Sequence, residues 1–247
     1  FDIISSTLPI TESTAKFLSE NKWNIFGTFP ISVGMIVFSK NAVKKTSPEE
    51  RFYVSNLVKQ VLSKSKIYKS NETLEFIQFF GEGYLDDHQK VEMIKLRESF
   101  KKLSTPLTLG VTNPDKWKGL AEQEKKISIV KLNKSGASYL ENERPDIFML
   151  TNDVSFDTSF SMFSFAVRTG LLRSDQLSSE DIIEKFIEYP DRSERIKFIN
   201  KIHYESLKNC IIYPVWSMPY FTASKEGILA KQSKYNSRTL AWKLNFN

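Results

Sequence analysis

Along the chain, short runs of apolar residues typical of strands alternate with segments in which apolar residues have helical spacing. This pattern predicts strands that alternate with helices. Short runs of β-branched and aromatic residues predict strands at Phe1–Ile4, Trp23–Phe26 and Met35–Phe38. Between the first two runs, the segment Thr11–Leu18 has the spacing of a helix. The N-terminal part of the chain is therefore predicted to consist of short strands around one helix.

A second helix is predicted to start at Ser47, because the residues there are those that stabilise helix N-termini. A serine side chain accepts hydrogen bonds from free backbone N–H groups, and proline is tolerated in the first helical turn. Acidic side chains interact favourably with the positive end of the helix dipole. Pro48 and two glutamates follow Ser47 in this order. The next apolar residues have helical spacing and predict a buried face: Val54, Leu57, Val58, Val61 and Leu62.

The middle of the chain predicts another series of helices and strands. A charged helix is predicted from His88 to Ser104 and is ended by Pro106. The rest of the region predicts a strand at 107–111, a helix at 114–126, a strand at 127–132 and a short helix at 136–142. The buried face of the charged helix is predicted to contain Val91, Ile94, Leu96 and Phe100.

The C-terminal third contains two amphipathic helices followed by an apolar run. The second of these helices is predicted to begin with a capping box, in which Asp191 caps the helix and Glu194 follows three residues later. The apolar run at 211–216 predicts a strand that returns to the sheet. The first helix, which starts near Ser179, is predicted to bury one face formed by Ile182, Ile183, Phe186 and Ile187.

The alternation of strands and helices predicts an α/β fold with a mixed, partly parallel sheet flanked by helices. In such sheets, ligands bind beyond the ends of the strands. A strand-like run at 145–151 leads directly into the polar segment Asn152–Asp157. This strand end is therefore the first place where we expect a binding site.

The composition is that of an ordinary globular protein with a mildly basic surface. The chain has 247 residues, of which 40% are hydrophobic and 26% charged, enough for one large domain or two smaller ones. Its net charge of +6 is carried by dispersed lysines, whereas a nucleic-acid-binding surface is concentrated and rich in arginine. We therefore expect no nucleic acid to contact this segment. Because Phe1 is the first residue and no signal peptide follows, we expect a fragment or a processed segment.

Few residues offer catalytic or metal-binding chemistry. Of the two histidines, His203 lies on the apolar face of its helix, where a hydrogen-bonded structural imidazole is expected. The acids before His88, Asp86 and Asp87, suit a helix start better than a metal site. The single cysteine, Cys210, is expected to be buried and unreactive. Hydrolase signatures such as Gly-x-Ser-x-Gly do not occur. We therefore expect a protein that is not an enzyme and uses no cofactor or metal.

The order of these elements resembles the C-terminal part of the family 5 solute-binding proteins of ABC transporters. The resemblance covers nearly the whole chain and about the second half of a family member. It implies a periplasmic-binding-protein-like lobe for residues 1–210 and a C-terminal return segment, 211–247, that packs back on the fold. The similar segments are Phe1–Ile4, Met35–Phe38, Glu50-Arg51, Phe79–Gly83, Asp191–Leu207 and Ile211–Pro214.

The resemblance implies the receptor component of an ABC importer. Such a receptor binds a peptide-like or other small solute in a cleft, which an N-terminal lobe of the same parent chain closes by a hinge motion. The solute then passes to the membrane subunits of the transporter. The implied location is periplasmic or otherwise extracytoplasmic, with a lipid anchor on the part that precedes Phe1 as one option.

The loop after the strand at 145–151 departs from the pattern of this family. The family has Gly-Trp, Asp-Tyr and Asp-Pro where this chain has Thr151-Asn152, Ser155-Phe156 and Asp157-Thr158. The aromatic wall and the charge anchor for a peptide are therefore weakened. Polar side chains at a strand end still fix ligands by hydrogen bonds, and a plain helix-capping loop is the alternative. Trp216 is expected in the core. The predicted ligand contacts are Asn152, Asp153, Ser155, Phe156 and Asp157.

Two other functions remain open at this point. Some bacterial transcriptional regulators join a DNA-binding winged helix to a similar solute-binding fold. This chain would then be the ligand-sensing C-terminal domain of a cytoplasmic regulator. A protein-interaction module that binds no small ligand is the third hypothesis.

Overall fold

The computed structural model divides the chain into two units. The first unit comprises residues 1–33, 152–158 and 217–247, and the second comprises 34–151 and 159–216. The domain boundary that we predict after residue 210 stays a prediction. The residues that the structure describes are 3–6, 12–27, 32–64, 72–77, 82–136, 139, 143–153, 159–218, 221–226, 228–230 and 244–246.

The described elements follow each other in the predicted alternation. The strands are β1 (Ile3–Ser6), β2 (Trp23–Gly27), β3 (Ser32–Phe38), β4 (Leu107–Val111), β5 (Ile127–Lys131), β6 (Ile147–Asp153), β7 (Ile212–Met218), β8 (Phe221–Lys225), β9 (Ile228–Ala230) and β10 (Leu244–Phe246). The helices are α1 (Glu12–Glu20), α2 (Lys40–Lys45), α3 (Pro48–Leu62), α4 (Asp87–Glu98), α5 (Lys118–Gln123), α6 (Ser159–Arg168), α7 (Ser179–Glu188) and α8 (Arg192–Lys208), and a 3₁₀ turn (Pro114–Trp117) precedes α5.

The first unit is built from short antiparallel strands. Strand β8 lies between β1 and β2 and pairs antiparallel with both. Strands β9 and β10 form a separate antiparallel pair. Helix α1 connects β1 with β2 in the chain and packs against β2. The predicted strands near Phe1 and Trp23 are thus confirmed with shifted ends.

The second unit contains most of a mixed sheet with the strand order β5-β4-β6-β3-β7. Strand β4 runs parallel to β5 and β6. Strand β3 runs the opposite way, because its C-terminal end meets the residues that precede its two neighbours. The N–H of Phe38 donates to the carbonyl of Ile211 at 2.9 Å, and the N–H of Ser39 donates to that of Asp146 at 2.9 Å. The predicted α/β class with a partly parallel sheet is confirmed.

The core of this sheet requires a glycine at one position. All residues of β3 are buried, and Trp216 on β7 is only 6% exposed. A Cβ atom added to Gly34 would lie 1.9 Å from Cε2 of the Trp216 indole. The indole therefore occupies the space that a side chain at position 34 would need, and the prediction that Trp216 belongs to the core is confirmed.

The predicted helix caps are largely confirmed. Ser47 accepts a hydrogen bond from the N–H of Glu50, and the Glu50 carboxylate accepts one from the N–H of Ser47. The Asp191 carboxylate accepts a hydrogen bond from the N–H of Glu194 at 2.9 Å. This is one of the two hydrogen bonds of the predicted capping box. Each bond satisfies a backbone donor that the first helical turn leaves free.

The prediction for the buried face of α4 was wrong. The helix ends at Glu98 rather than Ser104. Met93 is the buried apolar residue, and Arg97 faces inward one turn later, where it donates to the carbonyl oxygens of Thr73, Leu74 and Pro214. The helix therefore packs through a face that ends in an arginine, which an apolar stripe does not predict. Val91, Ile94 and Phe100 are 53%, 48% and 59% exposed, and Leu96 is half-buried.

Three further helix predictions are corrected or lie outside the described residues. Ile187 at the end of α7 is 59% exposed, because the helix ends at Glu188 and only its first three apolar positions are buried. The helix predicted at 114–126 is a 3₁₀ turn followed by the shorter α5. The short helix predicted at 136–142 falls largely outside the described residues. Of the helices described, none has the length and apolar character that crossing a membrane requires.

Candidate functional site

The predicted ligand segment begins at the end of the central strand of the sheet. Strand β6 lies between β4 and β3, with Ile147 and Phe148 fully buried and Thr151 exposed. Asn152 and Asp153 form the last two residues of β6. The structure therefore brings these two backbone positions to the carboxyl end of a central strand. The other predicted contacts, Ser155, Phe156 and Asp157, lie outside the described residues, and the ligand contacts stay a prediction.

The start of β6 is fixed by a buried carboxylate. Asp146, only 6% exposed, accepts hydrogen bonds from the N–H and hydroxyl of Thr108 on β4 at 2.9 and 3.1 Å. Its other oxygen accepts from the ammonium of Lys45 at 3.2 Å and from the amide of Asn41 at 3.3 Å. Charge-assisted bonds of this kind are the stronger ones in proteins. Asp146 therefore ties β6 to β4 and α2, and gives the strand a rigid base.

Polar residues also follow β4 and β5, which run in the same direction as β6. Because parallel strands end at the same edge of a sheet, the residues after β4 and β5 lie together at the carboxyl edge of the parallel strands of the second unit. Thr112 and Asn113 follow β4, and Asn133 and Lys134 follow β5 after one buried leucine; all four are exposed. We did not identify these polar residues as candidates from the sequence, although the sequence shows a polar pair after each of the two predicted strands.

One aromatic residue is held at the end of β5. The Tyr139 hydroxyl accepts a hydrogen bond from the N–H of Asn133 at 3.3 Å, and the Lys134 ammonium lies 4.4 Å from the centre of the tyrosine ring. Arg144 donates to the carbonyl of Tyr139 at 3.0 Å. An exposed cation over an aromatic face contributes about 0.5–1 kcal/mol. These contacts keep a polar aromatic side chain and a cation close to the carboxyl edge of the second unit.

The two residues with the most reactive side chains have structural surroundings. The Nε2 atom of His203 accepts hydrogen bonds from the N–H groups of Phe76 and Ile77, and its Nδ1–H donates to the Gly83 carbonyl. Burial lowers the pKa of His203 to about 4. Burial also raises the pKa of the Cys210 thiol to about 12. A neutral imidazole and a protonated thiol have little use as acid or nucleophile, so the predicted structural roles of both residues are confirmed.

No metal site is found in the part of the chain that the structure describes. No group of three or more His, Cys, Asp and Glu side chains there is arranged to hold an ion. Asp86, a neighbour of His88, accepts a hydrogen bond from the N–H of Gln89 at 2.8 Å and so caps α4. This acid therefore stabilises a helix start.

Comparisons with known proteins identify the fold through solved structures. No protein-family model and no curated protein matches the chain. All of the chain aligns with 57% of NikA from Staphylococcus aureus in complex with Ni(L-His)2, at a TM-score of 0.62 and 11% identity. All of it also aligns with 56% of the ABC transporter substrate-binding protein CtaP from Listeria monocytogenes (TM-score 0.61, 15% identity).

A third similar structure is the dipeptide-binding protein from Pseudoalteromonas sp. SM9913 in complex with Met-Leu. The chain aligns over its full length with 54% of that protein, at a TM-score of 0.59 and 12% identity. The chain thus spans somewhat more than half the length of the structures it matches, as expected of one part of such a protein. At these identities the likeness concerns the fold. The resemblance inferred from the sequence is therefore confirmed at the level of the fold, and the chain has the fold of the substrate-binding proteins of ABC transporters.

Proposed function

We propose that this chain is the ligand-binding part of a solute receptor that serves an ABC importer. The observation that carries the proposal is the match of the entire chain to proteins whose names describe substrate, dipeptide and nickel–histidine binding. The similar structures are binding proteins, and the described residues offer structural rather than catalytic roles for His203 and Cys210. A function based on binding, without catalysis, therefore fits best.

The predicted ligand contacts are the last two residues of β6, Asn152 and Asp153, and three residues that follow β6 in the sequence. The buried Asp146 network fixes the beginning of this strand, and Asn152 and Asp153 are its last two residues. Preorganised polar groups lose less conformational freedom when a ligand binds. We infer that these residues hydrogen-bond polar atoms of the solute, together with Ser155 and Asp157, and that Phe156 contacts its apolar part.

The proposed mechanism is closure around the solute. An N-terminal lobe of the same parent chain covers the bound solute, and the closed protein delivers it to the membrane subunits of the importer. A ligand shifts the equilibrium towards the closed form only by the difference in its affinity for the two forms. The solute class is peptide-like or another small solute, and the proposed location is periplasmic or otherwise extracytoplasmic.

Solute binding by the whole protein tests this proposal through thermal stability. Dipeptides, free amino acids and the nickel–histidine complex form the panel. A solute at 100 times its dissociation constant is expected to stabilise the native state by about 2.7 kcal/mol. Replacing Asn152 and Asp153 together by alanine is expected to abolish the stabilisation, because the proposed hydrogen bonds to the solute are lost.

The matched control for this experiment is Asp115→Ala. Asp115 lies in the 3₁₀ turn before α5 and pairs with Lys118 at 2.8 Å, and both side chains are exposed. Its replacement removes an exposed acid that is not among the five proposed ligand contacts, and solute stabilisation is expected to persist. Equal stabilisation of the double variant and the natural protein would contradict the assignment of these two residues.

A ligand-sensing domain of a cytoplasmic transcriptional regulator is the second candidate function. The sequence at the end of β6 favours it, since Thr151-Asn152 stands where the transport receptors carry Gly-Trp. A weakened aromatic wall suits a small metabolite better than a peptide. This candidate requires a basic helix-turn-helix upstream of the chain, whereas the receptor requires an export signal.

A further inference from the structure

His203 joins two stretches of chain that are distant from it in sequence. Its Nε2 atom lies 3.1 Å from the N–H nitrogen of Phe76 and 3.3 Å from that of Ile77. Its Nδ1 atom lies 3.0 Å from the carbonyl oxygen of Gly83. A ring nitrogen that accepts hydrogen bonds carries no proton, so the imidazole is the neutral form with its proton on Nδ1. His203 thus fastens residues 75–77 and 82–85 to α8.

The fastening depends on this protonation state. A proton on Nε2 would point at two backbone N–H groups and would remove both acceptor bonds at once. The imidazole is fully buried, and burial lowers its pKa to about 4. The ordinary pKa of an exposed histidine is about 6.5. Release of the two stretches is therefore coupled to proton uptake by His203.

The charged groups around His203 pair with one another. On the fastened stretches, Glu75 pairs with Lys90 of α4 at 3.2 Å and accepts a hydrogen bond from the N–H of Leu85. Glu82 pairs with Arg192 at the start of α8. Within the described ranges, no carboxylate lies at ion-pair distance from the imidazole. A buried imidazolium would therefore lack a counter-ion. This favours an open state, in which residues 75–77 and 82–85 are released from α8, over a closed state in which the charged ring stays buried.

Glu75 responds to acid in the opposite direction. Burial raises the pKa of its carboxyl group. The closed state then binds this proton more tightly than the open state, so acidification through Glu75 favours the closed state. The pKa of His203 is lowered on closing, and acidification through His203 favours the open state. The two effects are separable by a variant that changes only the histidine.

A second fastening on the same segment does not respond to acid. Arg97 donates to the carbonyl oxygens of Thr73 at 3.2 Å and Leu74 at 3.4 Å, and to that of Pro214 on β7 at 3.1 Å. The N–H of Thr73 also donates to the carbonyl of Val215 at 3.4 Å. Arginine stays charged at every pH at which proteins fold. Residues 73–74 are therefore held against β7 independently of His203.

We propose that His203 is an acid-sensitive latch, whose protonation releases residues 75–77 and 82–85 from α8 while Arg97 holds Thr73 and Leu74 on β7. Release uncovers Phe76, Ile77 and Leu85, which are buried in the closed state. The latch goes beyond the proposed solute binding and does not depend on it.

Hydrogen exchange of individual backbone amides in the full chain tests the latch. Exchange is measured at pH 6.5 and pH 4.5 and corrected for the intrinsic rate at each pH. Between these values, proton uptake with pKa values of about 6.5 open and about 4 closed raises the opening constant about 40-fold. Protection of the Phe76 and Ile77 amides is expected to fall by up to this factor, because Glu75 opposes the effect of His203, and protection of the Thr73 amide is expected to stay unchanged.

Two histidine variants complete the experiment. His203→Gln keeps an amide acceptor and donor but does not titrate, so its protection at Phe76 and Ile77 is expected not to fall at pH 4.5, and any change through Glu75 is expected to be an increase. His88→Gln removes the exposed histidine of α4 and is expected to lose as much protection as the natural protein does. Constant protection in the natural protein overturns the proposal. An equal loss at Thr73, or the same loss in His203→Gln, also overturns it.

An imidazole titration followed by nitrogen NMR covers the case in which His203→Gln does not fold. The natural protein is expected to show a neutral His203 ring, protonated on Nδ1, at pH 5.5. A charged ring at this pH, with Phe76 and Ile77 still protected, would show that protonation does not open the latch.

Discussion

Replacing Gly34 by alanine is expected to lower the free energy of unfolding by about 3 kcal/mol, at the upper end of the usual cost of overpacking. The new Cβ atom would overlap the Trp216 indole at 1.9 Å. Both residues are buried, and neighbouring strands hold their backbones, so neither side can move away without disturbing the sheet. Chemical denaturation, followed by circular dichroism, measures the change.

Gly119→Ala is the matched control for this substitution. Gly119 lies in α5, is exposed, and has nothing within 4 Å of an added Cβ. Alanine is the better helix former, so this variant is expected to gain about 0.5 kcal/mol. Equal stability of the two variants would contradict the packing of Trp216 on Gly34.

Replacing Arg51 by leucine is expected to cost about 4 kcal/mol of stability, because it leaves several buried carbonyl oxygens without a donor. Arg51 is 3% exposed and donates to the carbonyl of Asn209, the C-cap residue of α8, at 2.9 and 2.7 Å. It also donates to the carbonyls of Val43 and Thr46 near the end of α2. One guanidinium therefore satisfies the free carbonyls at the ends of two helices. Urea unfolding of the variant measures the loss.

Arg192→Leu is the control for the arginine variant. Arg192 is 81% exposed and pairs with Glu82 at the surface. Exposed ion pairs contribute about 0–1 kcal/mol, so this variant is expected to lose less than about 1 kcal/mol. If Arg51→Leu unfolds at the same urea concentration as Arg192→Leu, the carbonyl network around Arg51 does not stabilise the fold as inferred.

The sequence predicts best those parts of the fold that depend on neighbouring residues. Ser47 caps α3 and Asp191 caps α8, and each side chain accepts a hydrogen bond from a backbone N–H three positions later in the sequence. The buried strand β3 shows an uninterrupted apolar run. His203 was placed correctly in the core because its apolar helix neighbours are close in sequence. Local chemistry was sufficient in each case.

The parts that the sequence did not predict depend on contacts between distant residues. The carbonyl of Asn209 lies 158 positions from Arg51, and that of Pro214 lies 117 positions from Arg97. An arginine with such partners looks like a surface residue in the sequence, which is why the wrong face of α4 was predicted to be buried. The position of β6 at the centre of the sheet likewise follows from strand order, which periodicity does not encode.

The candidate site was predictable only in its first step. A strand followed by polar residues pointed to the end of β6, and the structure places Asn152 and Asp153 there. The polar residues after β4 and β5 become relevant only when these strands are known to run parallel to β6. A sequence does not contain the distances between such groups, so it does not predict which ligand would fit them.

The proposed receptor function is tested by the cellular fraction and the N-terminal residue of the natural gene product that contains this chain. Cells are fractionated, the protein is detected with an antibody, and its N-terminus is sequenced. A solute receptor of an importer predicts a processed N-terminus in the exported or membrane-attached fraction. A soluble cytoplasmic product with a helix-turn-helix upstream of this chain would contradict the account and identify the chain as the sensor domain of a regulator.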